Sequence, residues 1–382
     1  MNMRNYQLSL PGPSEVDPQV VQAMIRPNLP HYGKLWMGIY AGILEKLGKI
    51  YRTTGRVFVL PCSGSGAIDS VLCSLGARRG IVLSNGTFGS RLAEIAGHHW
   101  SEVKVIENRI GQAFRVEQVR SELKSGKYDL LAIVHGETST GMLNHLEEWA
   151  DFCEHTGLLL FVDAVSTLGG VPLDVDKLGI DFCVSASQKA LGGLPGLATI
   201  AVGEKGWDHL AQEQEIKSWY LNLRTWDRFC REWGDWHPYP VTLPVHLLFA
   251  FDKALELVLA EGMEKRWDRH ERVRRELQRQ LLSLNIPLLI ERESDRLATT
   301  TAATLPEELS SEALQEFLRE NYGILIAGGV GPARNRIFRV GHMGYSAQSW
   351  MINRVAAGIT DYVGRFASGD RRLKKQVTAL SV

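Results

Sequence analysis

In the stretch VSASQKALGG (184–193), Lys189 closes an apolar, small-residue run and is followed almost at once by two glycines. Lysine is among the side chains least often buried, and such a place suits it when it is paired or when its amine does chemistry. Earlier by 26 residues, FVDAVSTLGG (161–170) sets Asp163 at the end of another apolar run. There it can cap the next turn or face a ligand at the carboxyl edge of a parallel sheet. Further upstream, LPCSGSGAIDS (60–70) reads as a strand end, a turn of glycines and serines, and a helix start. Free backbone N–H groups and the positive end of a helix dipole make such a turn a seat for phosphate. It has neither a GxGxxG nor a GK[ST] pattern, so it is no dinucleotide fingerprint and no Walker loop. Alone, it serves equally well as a tight connection.

Together the three stretches say more than each does alone. An amine for a Schiff base, an acid against a pyridinium nitrogen and donors for a phosphate are what a pyridoxal phosphate site needs. Around them, His135 reads as a satisfied core histidine, and His342 stays open between core and site. The cysteines are Cys62, Cys73, Cys153, Cys183 and Cys230. Their number is odd, none forms a CxxC pair and most lie in apolar runs, as expected of reduced thiols in a cytoplasmic protein.

The elements that must position these residues are legible in the same way. Strand candidates are RVFVLP (56–61), GIVLS (80–84), EVKVI (102–106), LLAIVHG (130–136), LLLFVDA (158–164), DFCVSAS (181–187) and LATIAVG (197–203). Helix-length segments Gly66–Leu75, Ser90–His98, Val116–Leu123 and His145–His155 alternate with them. That pattern predicts an α/β protein with a mostly parallel seven-stranded sheet covered on both faces. An aromatic stretch, WDRFCREWGDWHPYP, breaks the alternation. One long helix is expected over Leu247–Leu284, its second half amphipathic and heavily charged, with the charge run on a solvated face. PLLIE, Ser311–Tyr322, GILIAGG, RIFRVGHMG and a last helix over Ala347–Phe366 then predict a small C-terminal α+β domain. The expected division is an N-terminal arm (1–20), a large domain (21–255) and a small domain (256–382), ending in a polar tail that frays.

Lys plus Arg and Asp plus Glu both number 43, which argues against a nucleic-acid partner. The start of the chain lacks the apolar core of a signal peptide. The longest uncharged run, Ala190 to Gly203, is too short and glycine-rich to span a bilayer. Both point to a cytoplasmic protein without membrane contact.

SGSG, NGTFG, HGETSTG, VDAVSTLGG, SQKALGGLPG and RVGHMG, in this order, resemble the class V, fold type I, aminotransferases. They are most similar to the alanine–glyoxylate and serine–pyruvate group. The resemblance runs from LPGPSEV (10–16) to about residue 365. It implies a pyridoxal 5'-phosphate enzyme in which Lys189 is the Schiff-base lysine and Asp163 partners the pyridine nitrogen. It puts Phe88 over the ring, Ser139 on the phenolic oxygen, and Ser65, Gly66 and Ala67 with Gln188 around the phosphate. It further implies a homodimer, with Tyr239 and Thr242 reaching the neighbouring subunit's phosphate. Gly12, Ser139 and Arg339 fall on the substrate side, the arginine clamping the substrate carboxylate.

The implied reaction moves an amino group from alanine or serine to glyoxylate or pyruvate by a ping-pong route. No metal is implied. Two departures bear on substrate: Phe88 stands where those relatives carry tryptophan, and Ala67 where they carry histidine. RVGHMGYSAQ is also similar to the branch that transaminates pyridoxamine, and HGETSTG to ureidoglycine–glyoxylate enzymes. The same set of motifs would also suit a pyridoxal phosphate lyase, for which Cys230 is the one plausible loop nucleophile, or a non-catalytic subunit on the same scaffold.

Overall fold

The structure, a computed structural model, describes residues 6–123, 127–213, 216, 218–330 and 334–366. All seven expected strands form one sheet: β1 (Arg56–Leu60), β2 (Arg79–Ser84), β3 (Glu102–Glu107), β4 (Leu130–Val134), β5 (Leu159–Asp163), β6 (Phe182–Ala186) and β7 (Ala198–Val202). Their order is β1-β7-β6-β5-β4-β2-β3. Every pairing is parallel except those of β7, which runs against β1 and β6. Its cause is local: residues 187–197 join β6 to β7 with no crossover helix, and a parallel neighbour would need one. Strands β4 to β7 are buried along their whole length, as continuous Val/Ile/Leu runs under two layers of helix require.

Helices Gly64–Ser74, Thr87–His99, Val116–Leu123 and Glu147–Thr156 follow the first strands. A helix that the apolar-run pattern leaves unassigned, Lys34–Tyr51, packs against Val245–Glu261. The single long helix expected over Leu247–Leu284 is two, Val245–Glu261 and Met263–Ser283. Gly262, at φ +84°, divides them in a backbone region that only glycine enters freely. The second helix is amphipathic, as expected. Arg266, His270, Val273, Arg274, Leu277, Gln278 and Leu281 form one buried face at helical spacing.

The C-terminal part holds a three-stranded sheet, β8 (Thr300–Thr304), β9 (Ala327–Gly328) and β10 (Ile337–Gly341), in the order β8-β10-β9. PLLIE is no strand; it contributes one isolated bridge, Leu288 to Ala303. The strand is instead TTAAT, whose buried threonines hide it from an apolar-run search. GILIAGG divides, Ile324–Leu325 pairing in parallel with Gln7–Leu8 and Ala327–Gly328 joining β10. The N-terminal arm is thus sewn into the C-terminal part. The two largest cores among the described residues meet within one helix: one reaches Met263 and the other begins at Val273. The last helix is Ser349–Phe366, and the polar tail lies outside the described residues. Among the described residues no helix is long and apolar enough to cross a membrane.

Candidate active site

Strand β1 runs in the same direction as β6, because each is antiparallel to β7. The C-terminal ends of β1, β2, β4, β5 and β6 therefore open on one edge of the sheet, where open α/β sheets bind ligands. A cavity of about 310 Å³ lies there, lined among others by Ser65, Phe88, Thr138, Asp163, Gln188 and Lys189. Larger clefts lie elsewhere, among them one beside Trp207 and Arg228 and one along Asp151, Asp176 and Glu204. Neither includes Lys189 or Asp163.

Lys189 follows β6, and its Nζ donates to the carbonyl of Pro11 at 2.6 Å. Burial lowers its pKa to about 8; Asp163 opposes the change, while Arg339 and Arg91 add to it. The N-terminal arm closes directly over the amine. A Cβ on Gly12, whose φ is +114°, would stand 2.2 Å from Nζ. Ser14 ties the two chain segments down, its N–H donating to the Gln188 carbonyl and its Oγ to the Lys189 carbonyl, each at 3.0 Å. Gly12 thus touches the lysine, where the resemblance placed it beside the substrate.

Asp163 ends β5. Its Oδ1 accepts from the Val165 N–H at 2.9 Å, and its other oxygen takes no donor among the described residues. Burial pushes its pKa up to about 6. Gln188 brings a buried amide whose Oε1 has no partner. At the phosphate turn, Ser65 and Gly64 line the cavity. Gly66 and Ala67 do not, and their N–H groups are bonded within the helix start. Gly66 donates to Ser63 Oγ at 3.3 Å and Ala67 to the Ser63 carbonyl at 3.1 Å.

Phe88 lines the cavity as expected. Its N–H donates to Glu137 Oε2 at 2.9 Å, and the Arg91 guanidinium lies 5.1 Å from its ring centre. Ser139 is differently placed. Its Oγ donates to Glu137 Oε1 at 2.5 Å and accepts from the Thr87 N–H at 3.0 Å. Its hydroxyl is therefore occupied, and it is the neighbouring Thr138 that faces the cavity. Glu137, fully buried, collects N–H donors from Phe88, Gly89 and Ser139 as well as that hydroxyl. Burial raises its pKa and these bonds oppose the change.

Arg339, in β10, reaches across to this turn. Nε donates to the Gly328 carbonyl at 2.8 Å and Nη1 to the Thr138 carbonyl at 3.0 Å. Nη2 has no protein acceptor among the described residues. Burial lowers its pKa and Glu137 opposes. Tyr239 and Thr242 lie away from this cavity. Tyr239 is buried, its hydroxyl donating to the His31 carbonyl, and Thr242 is exposed. His135 is a neutral core histidine bonded to Thr167 at 3.0 Å, and burial lowers its pKa to about 3. His342 joins the core too, between Thr301 Oγ1 and the Ala298 carbonyl, with its pKa lowered by burial to about 4. Sequence reasoning misses Thr138, Glu137 and Arg91, although all three stand inside or beside the motifs NGTFG and HGETSTG.

A doubly covered sheet with an amine, an acid, an aromatic ring and a helix start converging on its carboxyl edge defines a fold type I pyridoxal phosphate enzyme. The family model described as aminotransferase class-V matches residues 22–344, and the chain belongs to that family. It is 34% identical to an uncharacterized aminotransferase of Methanocaldococcus jannaschii, over 91% of this chain and 90% of the relative. It is 30% identical to the alanine–glyoxylate aminotransferase of Mus musculus, over 92% and 86%. The solved ureidoglycine–glyoxylate aminotransferase of Bacillus subtilis superposes with a TM-score of 0.90 at 28% identity, covering 100% of this chain and 99% of that one.

The protein is an aminotransferase that uses pyridoxal phosphate, and its cavity fits that group. Asp163, with one carboxylate oxygen free of protein donors, and Lys189, whose ammonium has hydrogens beyond the one given to Pro11, line one space of ligand size together with Ser65 and Phe88. When bound, the cofactor supplies a sink for the electron pair released at an amino acid's α-carbon and a store for the amino group.

Proposed function

We propose that this protein transaminates small amino acids with small keto acids, alanine or serine serving as donor and glyoxylate or pyruvate as acceptor. One observation carries the assignment of roles: Lys189 and Asp163 line the same cavity as Ser65 and Phe88. With a pKa of about 8, the Lys189 amine is neutral in a useful fraction near neutral pH, as a nucleophile and base must be. It takes the proton from the donor's α-carbon and later returns one to the acceptor's. Asp163 holds a proton on the pyridine nitrogen, Phe88 covers the ring, and Ser65 and Gln188 donate to the phosphate. Thr138, rather than Ser139, bonds the phenolic oxygen. Arg339 takes the substrate carboxylate through Nη2.

The purified protein is expected to show the visible absorbance of a lysine-bound cofactor. Lys189→Ala should abolish that band and turnover together; a variant that keeps both defeats the assignment. A panel of amino donors against glyoxylate and pyruvate, scored by keto acid formed, decides the pair. Ureidoglycine belongs in that panel, because the chain matches a ureidoglycine enzyme over its whole length. The lyase reading has less support, since no cysteine lines the cavity and burial raises the Cys230 thiol above its usual range. We also propose a homodimer in which Thr242, exposed in one chain, reaches the other's site. Sedimentation at a monomer's mass would refute it.

A further inference from the structure

Arg266 lies far from the site in sequence and lines no part of its cavity, yet it touches the chain on both sides of it. The residue is 6% exposed. Its Nε donates to the Gly169 carbonyl at 2.8 Å and its Nη2 to the Ala190 carbonyl at 2.7 Å. Gly169 belongs to the turn that leaves Asp163, and Ala190 is the residue after Lys189. The third nitrogen, Nη1, pairs with Glu261 at 2.7 Å, which balances a charge otherwise stranded in the interior. Where Arg266 binds them, the two turns are in contact. A Cβ on Gly170 would stand 2.9 Å from that of Ala190, and one on Gly169 3.2 Å from Leu191. One rigid guanidinium therefore spans the two backbones, something a lysine ammonium cannot reproduce with the same fork.

We propose that Arg266 is a positioning residue for the cofactor: it clamps the turn after Asp163 to the turn carrying Lys189 and so fixes the gap across which the pyridine ring must fit. The inference rests on the reading of Lys189 and Asp163 as the cofactor's two anchors. The same helix provides a matched control. Arg274 is 2% exposed and bonded to Glu271, Gln278 and Glu293, and it touches neither turn.

Arg266→Gln and Arg274→Gln are compared as holoenzymes by thermal midpoint. They are then compared by cofactor titration of the stripped protein and by the pH titration of the visible band. Both should lower the midpoint. Only Arg266→Gln should weaken cofactor binding, by about tenfold for a lost charged hydrogen bond, and move the band's titration. If the two variants change the cofactor readouts alike, or neither does, the proposal is overturned. Should Arg266→Gln fail to fold, Arg266→Lys takes its place: it must show the same weakening, and wild-type cofactor affinity with a wild-type band would overturn the clamp. Failure of the underlying reading looks different, because Lys189→Ala would then keep the wild-type band whatever Arg266 does.

Discussion

At the scale of single residues, the site's electrostatics make a prediction about stability before any substrate is added. Burial holds the Lys189 amine at a pKa near 8, against 10.5 for an exposed lysine. Below about pH 8 the amine is charged in folded and unfolded chains alike, and the folded state carries the full cost of burying it. Between that pH and 10.5 the unfolded chain binds more protons, so folding stability rises with pH. The apoprotein's thermal midpoint, compared with that of Lys189→Gln, should show this gain as a difference confined to that window. A constant difference would mean the amine is solvated. Two adjacent hydroxyls of HGETSTG, those of Thr138 and Ser139, make a second test. Thr138→Val should weaken cofactor binding by about tenfold, the effect of one lost hydrogen bond of about 1 kcal/mol or somewhat more. Ser139→Ala should lower the thermal midpoint while changing the cofactor's affinity less. Sequence reading reaches the motif but does not tell its hydroxyls apart. Consecutive side chains in a turn point in different directions, and only the Thr87 and Glu137 bonds reveal which hydroxyl is already engaged.

At the scale of elements, the strands are legible because β4 to β7 are mostly apolar runs, as strands buried on both faces tend to be. The second half of the long helix is harder to read for the opposite reason. Arg266, His270, Arg274 and Gln278 carry polar types on its buried face, and several of their partners, such as the Gly169 and Ala190 carbonyls, the Thr301 hydroxyl and the Gly344 N–H, lie far away in sequence. Thr300–Thr304 is invisible for the same cause. Glu137 shows an element fixed by one such residue. Its carboxylate gathers the N–H groups of Phe88 and Gly89 at the start of helix Thr87–His99, the end at which a negative charge is favoured. Glu137→Gln replaces one acceptor oxygen with an amide nitrogen whose hydrogens face other donors. The expected loss is about 1–3 kcal/mol, the cost of buried donors left without a partner. It should appear as a lower denaturant midpoint together with altered circular dichroism of the bound cofactor, because Phe88 loses its footing. A variant as stable as wild type would remove Glu137 from that role.

For the whole molecule, the question is how two cores and an arm come to share one site. The arm answers it. Gln7–Leu8 extends the Ile324–Leu325 pairing, the Ser9 carbonyl accepts from the Gly341 N–H at 2.8 Å, and a few residues on Pro11 holds the Lys189 amine. Arg339 crosses from β10, the strand that Gly341 ends, to the Thr138 carbonyl. A large-core edge and a small sheet are therefore laced together beside the cavity by the same short segment. The tightest point of that lacing is Gly341, where a Cβ would lie 1.8 Å from the Leu10 carbonyl oxygen. No side-chain rotation relieves a clash with backbone, so Gly341→Ala must push the arm away from β10 and from the lysine beneath it. Neither core loses a packed residue in the process. The variant should keep the cofactor's visible band, expose the arm to limited proteolysis, and raise KM for donor and acceptor together by about tenfold, as loss of uniform binding does. Were the arm only a loose end lying on the surface, Gly341→Ala would leave proteolysis and both KM values where they were.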